Sequence, residues 1–344
     1  MSVMLNEFLD APNVVRGVIT RNKKVIAEIA EEFKRRGITN ITTVARGTSD
    51  NAATYFKYIV EAIGHIIVSK FTPSITTVYG AKVNLHNNML LAVSQSGMST
   101  DTLMVAQNAK DTGAMTVAVT NDPNSPLAKL CDYHIYLAAG LEQSVGATKT
   151  FLAQLSSMYL LSNALSPSPA KMNIAQLPPI LENFIQENKK GIQDFAESLK
   201  EINNFVILTR GLTQAVASEL SLKMMTTCYK LSRPFSTCDF MHGPISMVED
   251  GTPIMILAPD SEFTEEFVAM TTRLSLLGAN VYSFTDILEV QNMSKKSFKM
   301  PPCRGTNSPF LYSMAIELFV VYMAQSLGIN PDTPRNAKKI TITK

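Results

Sequence analysis

From residue 38 onward the chain repeats one pattern. A short run of apolar, often β-branched residues is followed by a polar turn, then by a longer stretch with apolar positions three and four apart. Apolar runs at 38–45, 65–69, 89–94, 115–120 and 133–137 predict strands. The 3.6-residue period predicts helices over 50–63, 100–111 and 147–165, and a leading helix over 12–36 with Val14, Val18, Val25, Ile26 and Ile29 on its apolar face. Strands alternating with helices point to a parallel sheet covered on both faces.

Residues 166–179 carry four prolines and read as a linker. The pattern then restarts, with helices expected over 180–202, 214–231, 262–277 and 309–327 and strands over 205–209, 253–257 and 281–285. The restart is an internal repeat. Val44-Ala45-Arg46-Gly47-Thr48-Ser49 and Leu208-Thr209-Arg210-Gly211-Leu212-Thr213 share an apolar strand end, Arg-Gly and a hydroxyl before a helix. The expected fold is α/β, with domains over 1–168 and 180–344, the second including a closing tail.

Composition narrows the function. An apolar content of 46% and a near balance of 31 basic and 29 acidic residues mark a globular protein with no basic stripe, so no nucleic-acid partner is expected. No apolar run approaches the ~20 residues of a membrane span. The N-terminus shows no basic segment followed by an apolar core, so the expected location is cytoplasmic. The four cysteines, Cys131, Cys228, Cys238 and Cys303, lack metal-ligand spacing and read as isolated thiols. No metal site and no organic cofactor are expected.

The chemistry lies in the turns after the strands. Arg46-Gly47-Thr48-Ser49 and Ser94-Gln95-Ser96-Gly97-Met98-Ser99-Thr100-Asp101-Thr102 place short hydroxyls and glycines where strands give way to helices. Val145-Gly146-Ala147-Thr148-Lys149-Thr150 does the same before a third helix. Hydroxyls and helix-start N–H groups donate hydrogen bonds to an anion, and glycine lets the backbone approach it. One such turn is ordinary capping chemistry. Several converging at the C-terminal edge of a parallel sheet predict a site for a phosphate ester. No nucleotide-type glycine loop accompanies them, so the expected ligand is a small phosphosugar. The second copy lacks the serine-rich loop, which implies one phosphate site per chain.

These motifs, with His242-Gly243-Pro244 and Gly328-Ile329-Asn330-Pro331-Asp332-Thr333-Pro334, resemble the double sugar-isomerase (SIS) domain family. The chain is similar to the isomerase half of glucosamine-6-phosphate synthase and more closely to SIS-type glucosamine-6-phosphate deaminases. The resemblance implies two tandem SIS domains, each a parallel five-stranded sheet between helices in a flavodoxin-like three-layer sandwich. It implies that Ser49, Ser94, Gln95, Ser96 and Ser99 hold the phosphate with Gly47, Thr48 and Thr102 nearby. Glu142, Val145, Ala147 and Thr148 would line the sugar. His242 would assist ring opening across the interface of a homodimer, Lys339 would close over the open-chain sugar, and Glu219 and Lys223 would complete the site.

Glu219 and Lys223 lie four apart on one helix face. In the family a second Glu follows seven residues after the first, again on that face, and moves the proton between C1 and C2. Here that position is Thr226, whose hydroxyl is far too weakly acidic to be a general base near pH 7. Glu219 or Asp239 could serve instead, the substrate could differ, or the protein could bind phosphosugars without turning them over. Met224, Met225 and Cys228 make this helix unusually apolar, which suits core packing or a pocket for a substituent on the sugar. The expected activity is therefore that of an aminosugar- or ketose-6-phosphate deaminase or isomerase. A deglycase of a phosphorylated sugar–amine conjugate and a non-catalytic phosphosugar sensor are the alternatives. No glutaminase module is visible, so ammonia from glutamine is not expected, and too few residues precede the first strand for a DNA-reading module.

Overall fold

The computed structural model describes residues 2–170, 172–337 and 339. Residues 7–179 with 339 form one compact unit, and residues 2–6 with 180–337 form another. Helix α1 (Val3–Leu9) runs across this division.

In the first unit, α2 (Ala11–Arg21) and α3 (Lys23–Arg35) precede β1 (Asn40–Val44), α4 (Thr48–Ile59), β2 (Ile67–Lys70), α5 (Ser74–Thr77) and β3 (Asn88–Val93). Then follow α6 (Thr100–Asp111), β4 (Met115–Thr120), α7 (Pro126–Leu130), β5 (Tyr133–Tyr136) and α8 (Lys149–Leu165). The strands form one parallel sheet in the order β2-β1-β3-β4-β5. β4 is buried at every position and β3 at all but its first, as expected for central strands covered on both faces. Leu90, Ala92 and Ala118 of the sheet pack on Val105 and Ala106 of α6 and Leu127 of α7.

The single helix expected over 12–36 is two helices, broken at Asn22. Its Nδ2 donates to the carbonyls of Val18 (3.0 Å) and Tyr136 (2.8 Å), and its Oδ1 accepts the Tyr136 N–H (2.9 Å). The amide satisfies the backbone at the end of edge strand β5, and that tertiary pairing overrides the helical period.

The second unit contains α9 (Leu177–Ser198) from residue 180 onward, β6 (Asn204–Thr209), α10 (Gln214–Thr227), β7 (Leu231–Ser236), α11 (Thr237–Met241) and β8 (Pro253–Ala258). It continues through α12 (Thr264–Leu276), β9 (Asn280–Thr285), α13 (Leu288–Met293), β10 (Lys296–Lys299) and α14 (Ser308–Ser326). Its parallel sheet runs β7-β6-β8-β9-β10, the same strand order as the first. The internal repeat is thus a repeat of topology, with Gly47 and Gly211 at matching turns and both at positive φ (55° and 70°). One face of this sheet packs on Phe267, Met270 and Leu274 of α12. Elsewhere Phe195, Phe284 and Phe319 meet, with Phe284 edge-on to the other two at centroid distances of 5.1 and 5.4 Å.

Two strands escape the hydrophobic pattern. β7 contains Pro234, and β10 holds Ser297 and Phe298 between two lysines. Both are edge strands, where proline and charge are tolerated. The helix expected over 214–231 accordingly stops at Thr227, and Tyr229 turns the chain at φ 55°. Helix α14 is buried on all sides. Among the described residues no helix is long and apolar enough to cross a membrane.

Candidate functional site

In the first sheet the strand order reverses between β1 and β3, and the turns after these two strands flank that switch point, where open parallel sheets bind ligands. Gly47 heads α4 at φ 55°, ψ −133°, a conformation that needs glycine. Ser49 is buried in the first turn of α4, and its Oγ accepts from Gln154 Nε2 of α8 (2.8 Å). After β3, Ser94 Oγ accepts the Gly97 N–H (3.2 Å) and lies 3.3 Å from Ser99 Oγ. Ser96 Oγ accepts the Met98 N–H (3.3 Å), and the Gln95 carbonyl accepts from Asn121 N (2.9 Å). Thr102 is buried one residue beyond Asp101 in the first turn of α6.

Ser99 departs from ordinary capping. It occupies the N-cap of α6, yet its side chain makes no capping hydrogen bond and faces Ser94 instead. A serine at that position normally accepts from the helix it precedes. The two turns are also tied together: Arg46 Nε donates to Asp101 Oδ2 (2.6 Å), and Asp101 Oδ1 accepts the Thr102 N–H (2.8 Å). Gly97 closes the second turn at φ 63°, and a Cβ there would lie 2.3 Å from Ser125 Oγ.

The third segment is built around Glu142. Its buried carboxylate accepts from Thr148 N (2.9 Å) and Oγ1 (3.1 Å), Thr150 N (3.1 Å) and Oγ1 (2.9 Å), and Lys339 Nζ (2.6 Å). Burial alone would raise its pKa, but the Lys339 charge and these donors outweigh it and hold it below the ordinary carboxylate range. Lys339 also donates to the Ser144 carbonyl (2.8 Å). From the other side Glu7 accepts from Gln143 N and from Ser144 N (3.1 Å) and Oγ (2.6 Å). Glu142 and Thr148 are therefore buried supports, while Val145 is half-buried between them and Ala147 likewise.

In the second unit Lys223 Nζ sits 3.2 Å from Glu219 Oε1 on α10 and 3.1 Å from Glu317 Oε1 on α14. The lysine side chain is 2% exposed and both carboxylates 0%. Burial alone would lower the Lys223 pKa, but Glu317 and Glu219 together hold it above the ordinary lysine value. Sequence reasoning misses Glu317, because the apolar run around it speaks only of a buried helix; a lone acid within that run is the available signal. Thr226 Oγ1 donates to the Leu222 carbonyl of its own helix (2.9 Å). Met224 and Cys228 are buried, whereas Met225 is exposed.

His242 ends α11 and is exposed beside a cleft of about 290 Å³ lined by Thr237, Cys238, Met241, Glu266 and Arg273. Neither Glu219 nor Lys223 lines that cleft. Asp239 is engaged in capping α11: its N–H donates to Ser236 Oγ (3.0 Å), and its Oδ2 accepts from the same hydroxyl (2.7 Å). Burial pushes the Cys131 and Cys228 thiols up to about 12, which makes them poor nucleophiles. Among the described residues no group of three or more His, Cys, Asp or Glu side chains could hold a metal ion.

The sequence matches the SIS domain family model over residues 21–164 and 198–326. A glutamine–fructose-6-phosphate aminotransferase (isomerizing) of Thermococcus kodakarensis is 28% identical over 355 residues, covering 98% of this chain and 58% of that protein. The chain thus spans little more than half the length of that curated relative. A candidate phosphosugar isomerase of Silicibacter pomeroyi has a crystal structure that matches with a TM-score of 0.86 at 28% identity, over 96% of this chain and 100% of that one. The glucosamine-6-phosphate deaminase of Thermotoga maritima shares the fold, with a TM-score of 0.79 at 22% identity over 99% of this chain and 100% of that one.

Proposed function

This chain belongs to the SIS-domain family, and from that premise we propose that it is an enzyme of aminosugar or ketose 6-phosphates, acting as a deaminase or isomerase. The observation that carries the reading is Ser99, which heads α6 without capping it and turns its hydroxyl to Ser94 at the sheet's switch point. In this reading Ser49, Ser94, Ser96 and Ser99 donate to the phosphate, with the helix-start N–H groups behind them. Gly47, Thr48, Gln95 and Thr102 shape that cradle, and Val145 and Ala147 border the sugar over the buried Glu142 and Thr148.

Holding the phosphate fixes the far end of the open-chain sugar, so its carbonyl meets the catalytic groups repeatedly in one pose. His242 takes the proton from the anomeric hydroxyl and returns one to the ring oxygen, a task suited to imidazole near neutral pH. Lys339, which pairs with Glu142, provides a cation to steady a developing enolate oxygen, whereas the buried Lys223 and its two carboxylates hold α10 against α14. The proposal includes a cytoplasmic homodimer in which His242 serves the partner's sugar. The test is to supply glucosamine 6-phosphate, fructose 6-phosphate and phosphorylated fructosamines and to assay ammonia, released amine and new sugar phosphate. No turnover of any of them by high enzyme concentrations would contradict the reading.

A second reading has its own observation. The Thr226 hydroxyl is spent on the Leu222 carbonyl, so the face that carries Glu219 and Lys223 offers no second acid from α10. A phosphosugar-binding protein without turnover would need none. Exchange of the C2 proton of bound glucosamine 6-phosphate with D2O separates the two: exchange identifies the enzyme, and saturable binding without exchange identifies the binder.

A further inference from the structure

Arg46 lies outside the hydroxyl set but reaches into it. It follows β1, and its Nε is 2.6 Å from Oδ2 of Asp101 in the first turn of α6. Its guanidinium therefore stands at the start of the helix that Ser99 heads. The two residues differ sharply in exposure: the Arg46 side chain is 54% exposed and Asp101 is 1% exposed. A guanidinium bound through Nε keeps two terminal NH₂ groups in a planar fork. Among the described residues, Arg46 has no other side-chain hydrogen bond or ion pair.

A buried carboxylate in the first turn of α6 would repel an incoming phosphate. Arg46 cancels that charge, and its fork matches the paired oxygens of a phosphate monoester. Accepting the phosphosugar reading above, we propose that Arg46 is a phosphate-contacting residue of this site, oriented by Asp101 and donating through its terminal nitrogens to the ester that the serines hold. The site would then favour the dianionic ester over neutral sugars by charge as well as by hydroxyl geometry.

Calorimetric titration of fructose 6-phosphate, inorganic phosphate and unphosphorylated fructose into wild type, Arg46→Gln, Arg46→Lys and Asp101→Asn tests this, with thermal unfolding to verify that each variant folds. The expected result is a loss of phosphosugar affinity of roughly tenfold to a hundredfold in Arg46→Gln. Arg46→Lys should lose less, because the charge remains without the fork. Asp101→Asn should lose less than tenfold, since the cation stays and the buried anion goes. Unchanged affinity in Arg46→Gln overturns the inference, and so does an equal loss in Asp101→Asn and Arg46→Gln, which would make Arg46 only a strut between the turns. A wild type that binds neither phosphosugar nor phosphate overturns the underlying phosphosugar reading, and this inference with it.

Discussion

The Lys223 ammonium lies 3.1 Å from a Glu317 carboxylate oxygen, so a lysine on α10 is neutralised as much from α14 as by Glu219 on its own helix. Removing Lys223 takes away a cation that lies 3.2 Å and 3.1 Å from the two buried carboxylates. Lys223→Met is therefore expected to destabilise the protein by about 3–5 kcal/mol in urea unfolding, and Glu317→Gln by less, because Glu219 remains. The sign with pH follows from a raised lysine pKa: the stabilisation is complete below the unfolded value near 10.5 and is lost as pH rises through the higher folded value. The Lys223 contribution is thus constant through the neutral range and fades only in strong alkali.

The contact between Glu142 and Lys339 has the opposite pH dependence. A depressed carboxylate pKa gives stability that is present above the ordinary value of 4.5 and lost as pH falls through the folded value. Glu142→Gln should cost about 2–3 kcal/mol at neutral pH, since several donors lose a charged acceptor. That difference from wild type should shrink as pH falls below 4.5 and through the folded value, as followed by denaturant unfolding across pH.

Gly97 is tightly confined in the turn after β3. Gly97→Ala adds a Cβ at φ 63° and 2.3 Å from Ser125 Oγ. The left-handed conformation alone costs about 1–2 kcal/mol, and the clash adds to it. The expected outcome is a lower melting temperature together with loss of phosphosugar binding, whereas Gly47→Ala, with open space around its Cβ, should lower stability through backbone strain without a clash.

Much of this architecture is legible in the sequence, and the failures have physical causes. Helix α6 and strand β4 fall on the expected 100–111 and 115–120, because their periods are uninterrupted and their ends carry polar turns. β7 and β10 escape because edge strands need not be apolar. The break at Asn22 is invisible because it depends on Tyr136, distant in sequence. The hydroxyl turns are visible as residue types, but not that Ser99 declines to cap its helix. Glu317 escapes notice because its partner Lys223 lies on another helix, so no local spacing announces the pair.

Thr226→Glu tests the position where the family carries its base. A positioned carboxylate contributes about 10²–10⁴-fold to proton transfer. The variant is expected to raise C2 proton exchange of glucosamine 6-phosphate in D2O by roughly tenfold or more over wild type, by NMR. An unchanged rate would mean that another group already moves the proton.

The phosphosugar reading rests on the turns after β1 and β3 gathering around one phosphate monoester, and a crystal structure of the protein with fructose 6-phosphate decides it. Phosphate oxygens are expected within hydrogen-bond distance of the Ser49, Ser94 and Ser99 hydroxyls at the start of α4 and α6. A phosphosugar bound elsewhere, with those hydroxyls turned away from it, would refute that reading.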